Sequence, residues 1–372
     1  MIFFLLFIAV IFLAYTNGAN DNFKGVATLF GSGTTNYRKA INWATATTLL
    51  GSITSIYFAS ELIKQFSGKD LVPQEIISNP YFLFSIALGA ALTILLATII
   101  GLPISTTHSL VGALTGVGLV AVGNQFNFEK LANTFVLPLF LSPLIAAFLS
   151  IIFYIIFSKT RKIFGITKKS CLCIVSNETA LVTPNGTNVA LNAISVDLNI
   201  NSENKKICVT ENLGSIAKLT SQRVLDVAHF ISAGTVSFAR GLNDTPKMLG
   251  LLIIIQPLDI RIGAVILAIA IAIGGLISAK KVGETMSKDI TVLNHGQGFT
   301  ANLITSVLVC TASLNALPVS TTHVSVGSLF GIGLATKNTN TKTVKKILLA
   351  WLLTLPIAGL IGAFCYFLTN TF

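Results

Sequence analysis

The sequence is poor in charged residues: Asp, Glu, Lys and Arg together make up 10% of its 372 positions. A soluble protein of average composition carries about 25% charged residues, so this scarcity excludes an ordinary soluble enzyme. Disorder is excluded too, because 53% of the residues are hydrophobic and disordered chains lack such apolar surface. Most of the chain is therefore expected to lie in lipid.

Cysteine is also scarce. The five cysteines form an odd set without a paired framework, which argues against a disulfide scaffold. The formal charge of +11 would suggest a nucleic-acid partner in a soluble protein. In a membrane chain it indicates loops enriched in Lys and Arg on the cytoplasmic side, so we predict no nucleic-acid partner.

Long apolar runs alternate with short polar segments. A bilayer-spanning helix needs about 20 apolar residues, and five apolar runs precede a polar insert while five follow it. The first run lacks the positive start and cleavage site of a signal peptide, so we interpret it as a membrane segment. We predict ten to twelve membrane segments in a first repeat over 1–158 and a second repeat over 223–372. The insert over 159–222 has strand-like segments and is expected to form a small, β-rich subdomain.

Two motifs occur twice. GAND at 18–21 returns as GLND at 241–244, and LPISTTH at 102–108 returns as LPVSTTH at 317–323, at offsets of 223 and 215 residues. The order and position of both pairs indicate a duplication. Each repeat has an odd number of passes, so the second enters the membrane from the opposite face. This predicts two inverted-topology repeats, typical of secondary transporters whose site lies near mid-membrane.

The distribution of Lys and Arg predicts the orientation. With residue 1 outside, 18 of the 25 basic residues lie in cytoplasmic loops and 4 lie in outside loops. The excess of basic residues marks the cytoplasmic side. We therefore predict a multi-pass protein of the inner or plasma membrane, with both termini outside and the insert in the cytoplasm.

The GAND segment interrupts an apolar run. Irregular backbone at membrane depth survives only where it is buried in protein or lines a cavity, and Gly18 is suited to breaking the helix. Freed carbonyls with amide and carboxylate oxygens offer hard ligands to a small cation such as Na⁺; capping of half-helices, or pairing with a nearby lysine, is the structural alternative. The predicted cation-binding or coupling residues are Asn20, Asp21, Asn243 and Asp244.

Each LPxSTTH segment has Pro followed by hydroxyl residues at the start of an apolar run, which is a helix-start signature. A helix N-terminus exposes N–H groups and about half a positive charge, so two such ends predict a site for a tetrahedral anion between them. Simple capping of half-helices is the alternative. The predicted anion ligands are Ser105, Thr106, Thr107, Ser320, Thr321 and Thr322.

Five further residues are auxiliary candidates. His108 and His323 follow the hydroxyl triplets and could donate to the anion, move a proton, or simply pack. Lys24 and Lys247 each lie three residues after a motif aspartate, a spacing that allows a helical ion pair. Arg240 could bind the anion through two nitrogens or balance an aspartate; charge balance is the interpretation we favour.

Taken together, the GAND and GLND motifs and the two Pro-x-Ser-Thr-Thr-His segments resemble the PiT family of inorganic phosphate transporters. The resemblance extends over both membrane repeats. It implies a symporter that moves phosphate with Na⁺ or H⁺, inverted repeats, and often a homodimer. Many members continue the first motif as Asn-Asp-Val-Ala-Asn, whereas this chain has NDNFK at 20–24, which leaves the co-transported ion open.

These observations predict uptake of inorganic phosphate by symport with a cation, through alternating access and without a cofactor. A permease of the same fold for sulfate, or for a related tetrahedral oxyanion, is the alternative, since these anions share the shape of phosphate. A membrane enzyme would need a metal cluster or a nucleophile oriented by a base, and no carboxylate is apparent beside the Ser/Thr–His pairs. We predict no enzymatic activity.

Overall fold

The computed structural model describes residues 1–58, 60–167, 170–182, 188–199, 215–255 and 259–371. This part of the chain is nearly all helical, and seven of its helices are long and apolar enough to cross a membrane. The prediction of an α-helical, polytopic membrane protein is confirmed. The count of ten to twelve segments and the inverted relation of the repeats stay predictions.

The α-helices of this part of the chain are short connectors or long membrane-scale rods. They are α1 Ile2–Asp21, α2 Ala27–Gly31, α3 Tyr37–Phe58, α4 Ser60–Phe66, α5 Gln74–Ile77, α6 Pro80–Ile100, α7 Thr106–Val122, α8 Phe128–Leu131, α9 Leu137–Ile163, α10 Ser221–Leu249, α11 Ile260–Ser278, α12 Lys280–Glu284, α13 His295–Leu314, α14 Thr321–Thr336 and α15 Thr341–Thr371.

The chain divides into two compact units. One contains Met1–Ile152 and His229–Phe372, and the other contains Phe153–Ala228. The second unit holds an antiparallel sheet of order β2-β1-β3. Its strands are β1 Cys171–Val182, β2 Asn188–Asn199 and β3 Ser215–Thr220. Residues 168–169, 183–187 and 200–214 of the predicted insert lie outside the described residues, and the predicted domain boundaries stay a prediction.

Helix α3 shows how the larger unit arranges its polar residues. It buries Thr48 and Ser52, whereas Leu50 and Tyr57 are 60% and 71% exposed. In a bilayer, apolar side chains gain nothing by leaving the lipid, while polar groups need partners inside the protein. Thr48 finds one in the Ser237 carbonyl, to which its hydroxyl donates at 3.1 Å.

Glycine allows α1 and α11 to approach closely. A Cβ at Gly18 would collide with the backbone carbonyl of Ile271, and one at Gly274 would collide with that of Tyr15. The expectation that Gly18 breaks its helix is wrong: α1 continues to Asp21 and the irregular segment follows it. The GLND motif likewise lies inside the continuous helix α10. Gly18 is used for close helix packing, which motifs of small residues favour in membranes.

We predict that Gly274→Val destabilises the protein, because the new side chain must push α11 away from the Tyr15 carbonyl. Overpacking of this kind costs about 1–3 kcal/mol, so thermal unfolding in detergent should occur at a lower temperature. Ile273→Val is the matched control, since Ile273 lies one residue away on the same helix and is 47% exposed. Equal melting temperatures for the two variants would contradict the packing argument.

Candidate functional site

Helices α7 and α14 begin at the two repeated hydroxyl triplets. The Ser105 hydroxyl oxygen accepts a hydrogen bond from the His108 amide at 3.1 Å, and the Ser320 hydroxyl oxygen accepts one from the His323 amide at 3.2 Å. Both serines are therefore helix N-caps. The helix starts predicted from the sequence are confirmed.

The two helix N-termini meet each other. The Thr107 hydroxyl donates to the Val319 carbonyl at 3.2 Å, and the Thr322 hydroxyl donates to the Ile104 carbonyl at 3.0 Å. Each threonine thus bonds the loop that precedes the opposite helix. None of the six predicted anion ligands exposes more than 4% of its surface. They are Ser105, Thr106, Thr107, Ser320, Thr321 and Thr322.

The Lys24 side chain contacts residues of both halves of the site. Its ammonium forms an ion pair with Asp21 and donates to the amide oxygen of Asn20 at 2.8 Å. It also donates to the Ile104 carbonyl at 2.6 Å and to the Thr322 hydroxyl at 2.8 Å. The ammonium therefore has four oxygen partners.

Lys247 repeats this arrangement. Its ammonium lies 3.2 Å from the Asp244 carboxylate, 2.8 Å from the Val319 carbonyl and 2.6 Å from the Thr107 hydroxyl. Each lysine thus contacts the aspartate three residues before it, the loop carbonyl of its own half, and a threonine of the opposite half. Asn243 is close by and donates to the same Val319 carbonyl at 3.1 Å.

Arg240 is the exception in this network. Its side chain is buried, with 1% exposed, yet none of its three guanidinium nitrogens has a hydrogen-bond partner. It interacts electrostatically with Asp244 and Asp21. A buried donor without an acceptor costs stability, so the geometry leaves Arg240 ready for an anionic ligand.

Asn17 holds the position in the first half that Arg240 holds in the second. Its amide nitrogen lies 2.9 Å from the Thr106 hydroxyl and 3.2 Å from a carboxylate oxygen of both Asp21 and Asp244. This fixes the orientation of the amide. The amide oxygen is buried and has no donor.

The two predicted histidines pack beside the helix N-termini. The rings of His108 and His323 meet edge to face with centroids 4.2 Å apart, and His323 stacks on Trp351 at 3.8 Å. The Trp351 indole donates to the Pro103 carbonyl at 3.2 Å. Packing therefore accounts for their positions, although His108 Nδ1 and His323 Nε2 lack hydrogen-bond partners.

The charges of the site do not cancel. Among the residues that the structure describes, Lys24, Arg240 and Lys247 are buried with two carboxylates, Asp21 and Asp244. Each helix N-terminus adds about half a positive charge. The excess suits an anion. Among the described residues, no group of three or more His, Cys, Asp or Glu could hold a metal ion.

Asn20 and Asn243 each have a hydrogen-bond partner that was not predicted from the sequence. The Asn20 amide donates to the Thr98 hydroxyl at 2.9 Å, and the Ser313 hydroxyl donates to the Asn243 amide oxygen at 3.3 Å. Thr98 and Ser313 are 215 residues apart, the offset of the LPxSTTH motifs. Extending the repeat upstream by a few residues would have identified both.

Comparisons with known proteins identify relatives over nearly the whole chain. The sequence model of the phosphate transporter family matches residues 17–362. A candidate phosphate permease of Pyrococcus abyssi is 26% identical, with 95% of this chain and 94% of the relative covered. One from Thermococcus kodakarensis is 29% identical over the same shares. A probable low-affinity inorganic phosphate transporter of Mycobacterium tuberculosis is 23% identical over 99% of this chain and 78% of the relative.

A solved structure is similar over the whole length. It is described as the sodium-dependent phosphate transporter, with a TM-score of 0.76 and 25% sequence identity, and the match covers 100% of this chain and 99% of that one. The likeness includes the helical fold.

We predict that Ser320→Ala lowers the melting temperature in detergent, because it removes the acceptor of the His323 amide at the start of α14. Loss of an N-cap costs about 1 kcal/mol. Ser320→Thr keeps a hydroxyl acceptor and serves as the control. If both variants melt at the same temperature, the hydroxyl does not stabilise this helix start.

Proposed function

The chain belongs to the phosphate transporter family, and from this premise we propose that it takes up inorganic phosphate by symport with a cation, Na⁺ or H⁺. It is a multi-pass membrane transport protein and not an enzyme. The co-transported ion, the site residues and the orientation of the chain belong to the proposal.

The Arg240 guanidinium, whose three nitrogens have no hydrogen-bond partner, is the observation that carries the proposal. A phosphate oxygen would supply the acceptor that this buried group lacks, and arginine can bind two phosphate oxygens at once. Two helix N-termini meet in the same cluster of charges, and helix N-termini bind phosphate through their N–H groups. The excess positive charge of the site favours an anion with more than one negative charge.

The six hydroxyl residues would surround the anion. Ser105 and Ser320 use their oxygen atoms as cap acceptors, which leaves each hydroxyl hydrogen available to a ligand. The threonine hydroxyls now bond the protein and would turn toward phosphate on binding. The proposed phosphate ligands are Ser105, Thr106, Thr107, Ser320, Thr321 and Thr322.

Acceptors in the site favour phosphate over sulfate, the alternative anion. Phosphate near neutral pH still carries a proton and needs an acceptor for it, whereas sulfate needs donors only. The Asn17 amide oxygen is an acceptor without a donor, and the carboxylates of Asp21 and Asp244 lie within hydrogen-bond distance of the same amide group.

Alternating access would move the two halves apart and break the hydrogen bonds that join them. The bonds from Thr107 to Val319 and from Thr322 to Ile104 link opposite loops. The proposed coupling residues, Asn20, Asp21, Asn243 and Asp244, lie beside these bonds, so binding or release of a cation there would alter the balance between open states. We also propose that both termini lie outside, that the insert is cytoplasmic, and that two copies form a homodimer.

Purified protein in liposomes should accumulate radiolabelled phosphate when an inward Na⁺ or H⁺ gradient is imposed, one gradient at a time. Ionophores that dissipate the effective gradient should abolish accumulation, which distinguishes symport from a channel. Absence of uptake under both gradients, with the protein correctly inserted, would contradict the proposed function.

The double variant Thr106→Val with Thr321→Val should lose phosphate uptake. Each hydrogen bond to a charged group contributes about 1.5–3 kcal/mol, so removing two should weaken phosphate binding at least about a hundredfold. Thr115→Val is the matched control, because Thr115 lies on α7 and its hydroxyl bonds only its own helix at the Val111 carbonyl. Uptake that persists in the double variant would refute this assignment of ligands.

Competition separates the two anions. Unlabelled phosphate should suppress uptake of labelled phosphate, whereas sulfate at equal concentration should not, because Asn17 offers an acceptor that sulfate cannot use. Equal competition by sulfate would indicate the alternative substrate. Chloride at matched ionic strength controls for effects of salt.

A further inference from the structure

The oxygen atoms around the Lys24 ammonium are those that a Na⁺ ion takes as ligands. They comprise a carboxylate oxygen of Asp21, the amide oxygen of Asn20, the Ile104 carbonyl and the Thr322 hydroxyl. Such neutral and anionic oxygens are typical of hard-cation sites, and only 3% of Lys24 is exposed. The positive charge at this place is therefore supplied by the chain itself.

The Lys247 ammonium has three of the four corresponding ligands: the Asp244 carboxylate, the Val319 carbonyl and the Thr107 hydroxyl. Lys247 is completely buried. A Na⁺ ion entering either place would lie directly beside a buried ammonium group. The repulsion between two like charges is strong in a buried region, so the ion and the lysine compete for one position.

Building on the proposed function, we propose that Lys24 and Lys247 replace two co-transported Na⁺ ions as tethered cations, so that phosphate uptake by this chain does not require Na⁺. A tethered ammonium neutralises its aspartate and orients the threonine of the opposite half, as a bound ion would. It cannot leave with the substrate, and it therefore transmits no energy from a Na⁺ gradient. Of the two cations considered above, H⁺ remains to drive uptake.

A purely structural ion pair is the competing explanation, because a buried lysine next to a buried aspartate satisfies both charges without any link to transport. The two explanations differ in what happens when the ammonium is removed. A former cation site keeps its ligand oxygens and should accept Na⁺ again. A structural pair leaves a destabilised protein that Na⁺ does not rescue.

The first experiment uses the unchanged protein in liposomes. Phosphate uptake driven by a pH gradient should proceed equally in Na⁺, K⁺ or N-methylglucamine media, and labelled ²²Na⁺ should not enter with phosphate. Uptake that stops in Na⁺-free medium, or ²²Na⁺ entry that depends on phosphate, would overturn the inference while leaving phosphate transport established. Absence of phosphate uptake in every medium would instead contradict the proposed function.

The second experiment removes the ammonium. Lys24→Ala should gain a response to Na⁺: NaCl, but not N-methylglucamine chloride, should raise its melting temperature in detergent and restore phosphate uptake. The control is Lys64→Ala, which removes an exposed lysine that pairs with Glu61 at the same three-residue spacing. Lys64→Ala should show no specific response to Na⁺.

A double variant guards against general effects of salt. Lys24→Ala with Asp21→Asn also removes the anionic ligand, so its response to Na⁺ should be lost. The inference would be overturned if Lys24→Ala folds but Na⁺ changes neither its melting temperature nor its phosphate uptake. It would also be overturned if Na⁺ affects the double variant as strongly as the single one. If Lys24→Ala does not fold with or without Na⁺, the structural explanation is supported and the inference is likewise overturned.

Discussion

The meeting of two helix N-termini in a buried, charged interior is the constraint on which the rest of the structure depends. The residues at both ends of this contact are buried in the structure, so the hydroxyl, carboxylate and ammonium groups nearby need partners within the protein. The bonds from Thr107 to the Val319 carbonyl and from Thr322 to the Ile104 carbonyl meet this need across the two halves. Polar residues consequently face inward and large apolar ones face outward along helices such as α3.

Much of this arrangement could be predicted from the sequence because the informative motifs occur twice. A Pro followed by Ser and Thr predicts a helix start by local chemistry alone, and Ser105 and Ser320 do cap helices. The three-residue spacing of Lys24 after Asp21 likewise predicts a local ion pair. A pattern whose residues lie within one turn of a helix can be interpreted without knowing the fold.

The remainder depends on contacts between distant segments, which spacing does not reveal. Glycine tends to break helices, which is why Gly18 was expected to end this one. Its backbone instead packs against Ile271, and the helix continues. The lysines pair with nearby aspartates as expected, yet their contacts with the opposite half depend on how the repeats face each other. Charge balance was the favoured interpretation of Arg240, and only its surroundings show that its guanidinium nitrogens lack hydrogen-bond partners.

One difference in residue type distinguishes the two halves of the site. Asn17 and Arg240 stand at corresponding places beside the same two aspartates, one neutral and the other cationic. A chain assembled from two copies of the first half would hold a pair of amides there, and one from two copies of the second would hold a pair of guanidinium groups. The mixed pair of one amide and one guanidinium group therefore requires both halves of the chain.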